Sequence, residues 1–196
     1  MALLSSWDAW WPLVVVLVIV VAIRGGFRAR AFLLTAALAA GVSDGLVCKP
    51  LKSIVDRPRP HQSVEGVRQV DLRKARPRIL AIAEPVKAKL SRPPKPGEPI
   101  DGRSFPSSHT GTTSAIAFIA FAFYRRRGLW ALLIPLSVGY SRIYTGSHWP
   151  SDVLWSLFIG MAAGAIALTL AKLLWRRFGH RVLPQAHAAH PTLLPS

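Results

Sequence analysis

Residues 153–175 read VLWSLFIGMAAGAIALTLAKLLW, with Lys172 as the only charge. A helical run of about 20 apolar residues matches the hydrocarbon core of a bilayer, so this stretch predicts a membrane-spanning helix. Within it, Gly160 and Gly164 make a small-x-x-x-small face suited to close helix packing. Four further apolar runs lie upstream, at 10–23, 31–48, 110–124 and 129–144. They are shorter, and their ends either extend into flanking residues or line a wet site where polar groups are tolerated. The expected fold is all-α, a polytopic membrane helical bundle.

Composition points the same way. The 196-residue chain is 51% apolar yet carries a formal net charge of +16. The charges are segregated from the apolar runs: residues 49–113 hold 14 of the 25 basic and 6 of the 9 acidic residues. Basic residues flanking hydrophobic runs fit a protein facing anionic lipid rather than nucleic acid, so no nucleic-acid partner is expected. Cys48 is the only cysteine, which excludes an internal disulfide framework and a cysteine-rich metal site. No basic residue precedes the first apolar run and Arg24-Gly25-Gly26 follows it, which fits an uncleaved helix better than a signal peptide. One membrane domain is expected over 1–182, with a loop insert at 61–103 and a disordered tail at 183–196. The sequence carries no signal for oligomeric state.

Loop charge orients the bundle. Arg24, Arg28 and Arg30 follow the first run, Arg125 to Arg127 the third, and Arg176, Arg177 and Arg181 the fifth. Counting crossings puts all three clusters on one side, which the positive-inside rule makes cytoplasmic. The basic loop 49–113 falls on the opposite, extracytoplasmic side. At 65 residues it exceeds the ~60 over which loop charge counts. Inside the loop, 67–90 mixes basic and apolar residues and reads either as an interfacial helix or as a solvated connector. Four prolines in 91–99 predict a stiff, structureless link.

Three stretches carry the chemistry. Lys52-x6-Arg59-Pro60 follows the second run, and its Arg57-Pro58-Arg59-Pro60 portion cannot continue as regular helix. A rigid extended turn there can aim a guanidinium fork at phosphate oxygens; for each cation alone, interfacial snorkelling explains as much. Pro106-Ser107-Ser108-His109 precedes the third helix. A serine there is an ordinary N-cap, but a helix start also offers free amides to an anion, and His109 would sit beside it as a proton carrier. Ser141-Arg142-x5-His148-x3-Asp152 bridges the fourth and fifth helices. Asp152 or Ser151 could simply cap the fifth. The sharper expectation is that Asp152 accepts a hydrogen bond from one nitrogen of His148 and leaves the other free to attack. Tyr140, Tyr144 and Trp149 fit an aromatic belt at this depth.

The ordered set resembles the type-2 phosphatidic acid phosphatase superfamily of integral membrane lipid phosphatases. Its signature is K-x6-R-P, P-S-G-H and S-R-x5-H-x3-D; the first and third parts match in full, and the second departs at Ser108, where the family usually has glycine. The motifs cover about 100 residues, Lys52 to Asp152. Members usually have six spans, so the resemblance implies a bundle of about five to six. It also implies residue roles. His148 attacks phosphorus to form a phosphohistidine, with Asp152 orienting it. Lys52, Arg59, Arg142, Ser107 and the Ser108 amide hold the phosphate oxygens, and His109 protonates the leaving oxygen. Fixed cations then do what magnesium does elsewhere, and no metal or cofactor is required. The implied substrate is a lipid phosphate or diphosphate, with undecaprenyl diphosphate the best guess, met among membrane lipids. The alternative is a non-catalytic membrane protein that holds anionic headgroups. A binder needs the cations but not His109, His148 and Asp152 together. Asp44, inside the second run, keeps a transport reading open.

Overall fold

The computed structural model describes residues 6–71, 87–92 and 103–194. In chain order the elements are α1 (Trp7–Arg24), α2 (Phe27–Gly41), a π-helical stretch (Val42–Cys48), α3 (Lys49–Val55), α4 (Pro60–Ser63), β1 (Arg68–Asp71), β2 (Lys87–Leu90), α5 (Ser108–Tyr124), a 3-10 stretch (Arg125–Leu132), α6 (Leu133–Tyr144), α7 (Pro150–Val182) and α8 (Pro184–Ala189). All five apolar runs are helical. Two segments, Phe27–Ser63 and Pro150–Val182, are long and apolar enough to cross a membrane on their own, with mean hydropathies of 1.8 and 2.1. α1 is shorter, but Leu13, Val14, Val15, Val16, Leu17 and Val18 are all exposed on it. A helix apolar all round and uncovered by protein belongs in lipid.

The bundle is organised around α5, which packs chiefly on α7, the 3-10 stretch Arg125–Leu132, α2 and α6. Small residues make this possible. Ala31, Ala36 and Ala39 of α2, Ala115 of α5, and Ala163 and Ala167 of α7 line the core with Ile119, Phe123 and Leu168. Small side chains let helix backbones approach closely, which drives association where lipid is as apolar as the core. Gly160 carries this furthest: a Cβ there would lie 2.2 Å from the Gly111 carbonyl oxygen. The glycine face of α7 is thus spent within the chain, against α5.

Several local features differ from the sequence expectations. The second apolar run does not end as α-helix; it widens into π turns from Val42 to Cys48. Pro50, in the first turn of α3, has no N–H to return to the preceding turn, and the wider turns carry the chain into it. The fourth run starts as 3-10 helix and becomes α-helical only at Leu133, placing Pro135 in a first turn, where its missing N–H costs nothing. At its ends, the segment 67–90 is strand rather than interfacial helix. β1 and β2 pair antiparallel, Arg68 with Leu90 and Asp71 with Lys87. Ser91 closes the pair: its N–H donates to Val67 O at 2.9 Å and its hydroxyl to Val64 O at 2.6 Å. The middle of that segment, 72–86, and most of the proline-rich link, 93–99, lie outside the described residues. The tail expected to be disordered from 183 forms α8 and folds back. Trp175 Nε1 donates to His190 O at 2.9 Å, and the His190 ring stacks on Phe27 at 4.3 Å.

These contacts also fix which ends of the helices meet. Arg28 Nη2 donates to Phe123 O and its guanidinium lies 4.8 Å over the Tyr124 ring, while Phe27 meets Trp175 at 5.1 Å. The start of α2, the end of α5 and the arginine-rich end of α7 therefore share one end of the bundle. The three motifs gather at the other.

Candidate active site

Each motif arrives on a different element. Lys52 sits on α3, Arg59 precedes α4, Ser107 and Ser108 open α5 with His109 in its first turn, Arg142 lies in the last turn of α6, His148 in the following loop and Asp152 in the first turn of α7. Lys52, Arg59 and Arg142 all lie within electrostatic reach of both His109 and His148. Residues spread over about 100 positions thus form one cationic cluster around two imidazoles. The side chains differ in access: His148 and Asp152 are buried, whereas His109 is exposed and Lys52, Arg59, Ser108 and Arg142 are partly so.

His148 has a defined orientation. Its Nδ1 lies 2.7 Å from the main-chain oxygen of Ser104. A carbonyl can only accept, so Nδ1 carries the proton and Nε2 presents its lone pair. Burial, followed by the Arg142 and Arg59 guanidiniums, pushes this imidazole down to about 3, against the smaller opposing pull of the Ser104 bond. At neutral pH it is an uncharged base with one free nitrogen, the form a nucleophile needs.

Asp152 is not the partner of His148 that the spacing predicted. Its Oδ2 accepts from the Ser104 hydroxyl and, at 3.0 Å, from the Trp149 amide; its Oδ1 accepts from Arg57 Nη1 at 2.7 Å. The Trp149 bond makes Asp152 a cap of α7, as the simpler reading allowed. The carboxylate is one link removed from the imidazole, because the Ser104 carbonyl occupies the position beside Nδ1. Ser104 and Arg57 were missed by motif reading. Arg57 lies inside the six unspecified positions of the first motif and Ser104 three residues before Ser107, so the motifs mark neither.

Ser107 also departs from the simple cap. It holds the N-cap position of α5 yet makes no side-chain cap bond. Its amide donates to Ser156 Oγ at 2.8 Å, and Ser156 Oγ in turn donates to Asp152 O at 2.5 Å. The Ser107 hydroxyl accepts from Thr110 Oγ1 at 3.1 Å and keeps its own proton to donate. Arg59 Nε is buried without a hydrogen-bond partner among the described residues. A buried guanidinium N–H of this kind suits an oxyanion acceptor.

The fold is a bundle with apolar, membrane-length helices, and at one end of it three basic side chains act on two imidazoles. A family model for the PAP2 superfamily matches residues 28–176, and the chain belongs to that superfamily. The chain is 38% identical over 81 residues to the putative undecaprenyl-diphosphatase YbjG of Escherichia coli K12, covering 40% of this chain and 38% of that one. It is 43% identical over 72 residues to the undecaprenyl-diphosphatase BcrC of Bacillus subtilis, covering 36% and 37%. To the lipid A 1-phosphatase of Porphyromonas gingivalis it is 34% identical over 77 residues, 37% of this chain and 17% of that one. The matched stretches thus span well under half of each relative. Among solved structures, Aquifex aeolicus LpxE shares the fold at a TM-score of 0.50 and 24% identity, over 86% of this chain and 81% of that one.

Proposed function

We propose that this chain is an integral membrane phosphatase that hydrolyses a lipid phosphate or diphosphate through a phosphohistidine on His148. The observation that carries the reading is the Nδ1–H bond from His148 to the Ser104 carbonyl, which leaves Nε2 unprotonated inside the Lys52, Arg59 and Arg142 cluster. Nε2 attacks phosphorus, and the bond to the leaving oxygen breaks. His109, held neutral by desolvation and the nearby cations until the phosphate's negative charge enters and lets it take up a proton, delivers that proton to the leaving oxygen. Water, deprotonated by the same His109, then attacks the phosphohistidine, releasing phosphate and restoring Nε2. The three cations, the Ser107 hydroxyl and the Ser108 amide hold the charge that builds on the equatorial oxygens. With that charge met by fixed side chains, turnover needs no metal.

Undecaprenyl diphosphate is the preferred substrate, in keeping with the names of two of the relatives; a lipid A phosphate is the next candidate. A single domain over 1–182 with five to six spans sits in the cytoplasmic membrane. The arginine-rich end faces the cytoplasm under the positive-inside rule and the site faces the other side, among the lipid headgroups.

The test is phosphate release by the detergent-purified chain in excess EDTA, from undecaprenyl diphosphate, phosphatidylglycerol phosphate, phosphatidic acid and lipid A. Release that persists in EDTA and vanishes in His148→Ala is expected. A well-folded chain that binds these lipids and releases nothing would establish the headgroup-binding alternative instead.

A further inference from the structure

Ser104 lies outside the three motifs, yet every polar group it owns is engaged with one of them or its flank. Its N–H donates to the Arg57 carbonyl at 2.7 Å, its carbonyl accepts from His148 Nδ1 at 2.7 Å, and its hydroxyl donates to Asp152 Oδ2. Arg57 closes the circuit by donating from Nη1 to Asp152 Oδ1 at 2.7 Å and to Ser151 Oγ at 3.0 Å. Ser104 and Asp152 are fully buried and His148 is nearly so, so water does not compete for these bonds. The geometry points to Ser104 as a positioning residue through which Asp152 and Arg57 hold the His148 imidazole in its attacking tautomer. This assignment rests on the phosphatase reading for its kinetic consequence, but not for its structural one.

The chemistry follows from what each group can exchange. A main-chain carbonyl that can shift gives a loose hydrogen bond, and a loose bond at Nδ1 lets the imidazole populate the Nε2–H tautomer, which has no lone pair to offer phosphorus. The Ser104 hydroxyl clamps its own peptide to a carboxylate that cannot move, because Asp152 is fixed from the other side by Arg57 and by the Trp149 amide. Outer partners of this kind set the ring orientation and tautomer of a working histidine. Asp152 therefore acts on His148 at one remove, and removing either the carboxylate or the serine hydroxyl breaks the same connection.

The experiment is nitrogen-15 NMR of histidine-labelled full-length chain in detergent without substrate, with the His148 signals assigned by their loss in His148→Gln. The wild type is expected to show a single Nδ1–H tautomer at His148. Ser104→Ala and Asp152→Asn should each introduce the Nε2–H form, although neither changed atom bonds to the imidazole. In turnover, each should lower kcat on the order of 10-fold or more with little change in KM, and the double variant should lose no more than the worse single one. Because the tautomer is read without substrate, it reports on positioning even if no lipid is turned over. Wild-type protein in the Nε2–H form overturns the assignment whether or not the variants fold. So does a folded Ser104→Ala that keeps the pure Nδ1–H tautomer, or a double variant whose kcat losses multiply.

Discussion

Arg57 Nη1 meets Asp152 Oδ1 at 2.7 Å across 95 positions of sequence, tying the turn after α3 to the first turn of α7. The two ends of this pair differ in exposure: the Arg57 side chain is 39% exposed and the Asp152 carboxylate is entirely buried. Removing the arginine leaves a buried anion whose remaining donors among the described residues are Ser104 and Trp149. Arg57→Ala should therefore destabilise the fold by about 1–3 kcal/mol, read as a lower Tm in detergent. Arg57→Lys should recover only part of the loss. Lysine restores the charge but not the planar guanidinium 5.2 Å over the Trp149 ring. Equal Tm for all three proteins would remove Arg57 from the account.

The contact of α5 with α7 makes a second prediction. A side chain at Gly160 would meet the Gly111 carbonyl and Ser114 Cβ, at 2.2 and 2.8 Å. Neither can yield without separating the helices that carry Ser107 and Asp152. Gly160→Leu should cost about 1–3 kcal/mol through overpacking and should lower activity along with Tm. Gly41→Ala is the matched control: nothing lies within 4 Å of its Cβ, so its Tm should be equal or higher. A Gly160→Leu protein with wild-type Tm would contradict the packing.

Protonation of His148 sets a pH dependence of known sign. The unfolded chain binds a proton at this imidazole below its ordinary 6.5, whereas the folded chain holds it neutral down to about 3. The unfolded state thus binds more protons between those values. The His148 contribution to stability is complete above 6.5 and is lost as pH falls toward 3. Carboxylates titrate in the same window, so the informative quantity is the Tm of wild type minus that of His148→Gln. That difference should shrink steadily from pH 7 to pH 4; a constant difference would mean that His148 binds protons alike in the folded and unfolded chain.

Much of this was legible in the sequence because it depends on local chemistry. Each of the five apolar runs falls on helical structure, and the motifs name cations and imidazoles that the fold brings together at one end of the bundle. Gly160 and Gly164 announced a close helix contact, although only the fold shows that α5 is the partner. The rest depends on atoms that every residue shares. Any residue has a main-chain carbonyl, so nothing in the sequence marks the one at Ser104 as the acceptor for His148. The i+4 spacing of Asp152 brings it near His148 but does not aim it, and the carboxylate turns to Ser104 and Arg57 instead. The π turns before Pro50 and the pairing of β1 with β2 likewise arise from backbone hydrogen bonds set by tertiary neighbours, which override local pattern.

Trapping reads the bond between phosphorus and the His148 nitrogen itself. Full-length chain would be mixed in EDTA with undecaprenyl diphosphate labelled in its terminal phosphate, quenched in alkali within one turnover, and its peptides examined by mass spectrometry. Label on the His148 peptide, stable to alkali and lost in mild acid, is the result predicted, with none in His148→Ala and a longer-lived adduct in His109→Ala. Phosphate release by wild-type protein with no label on His148 at any time, or release that His148→Ala retains, would mean that His148 does not attack phosphorus.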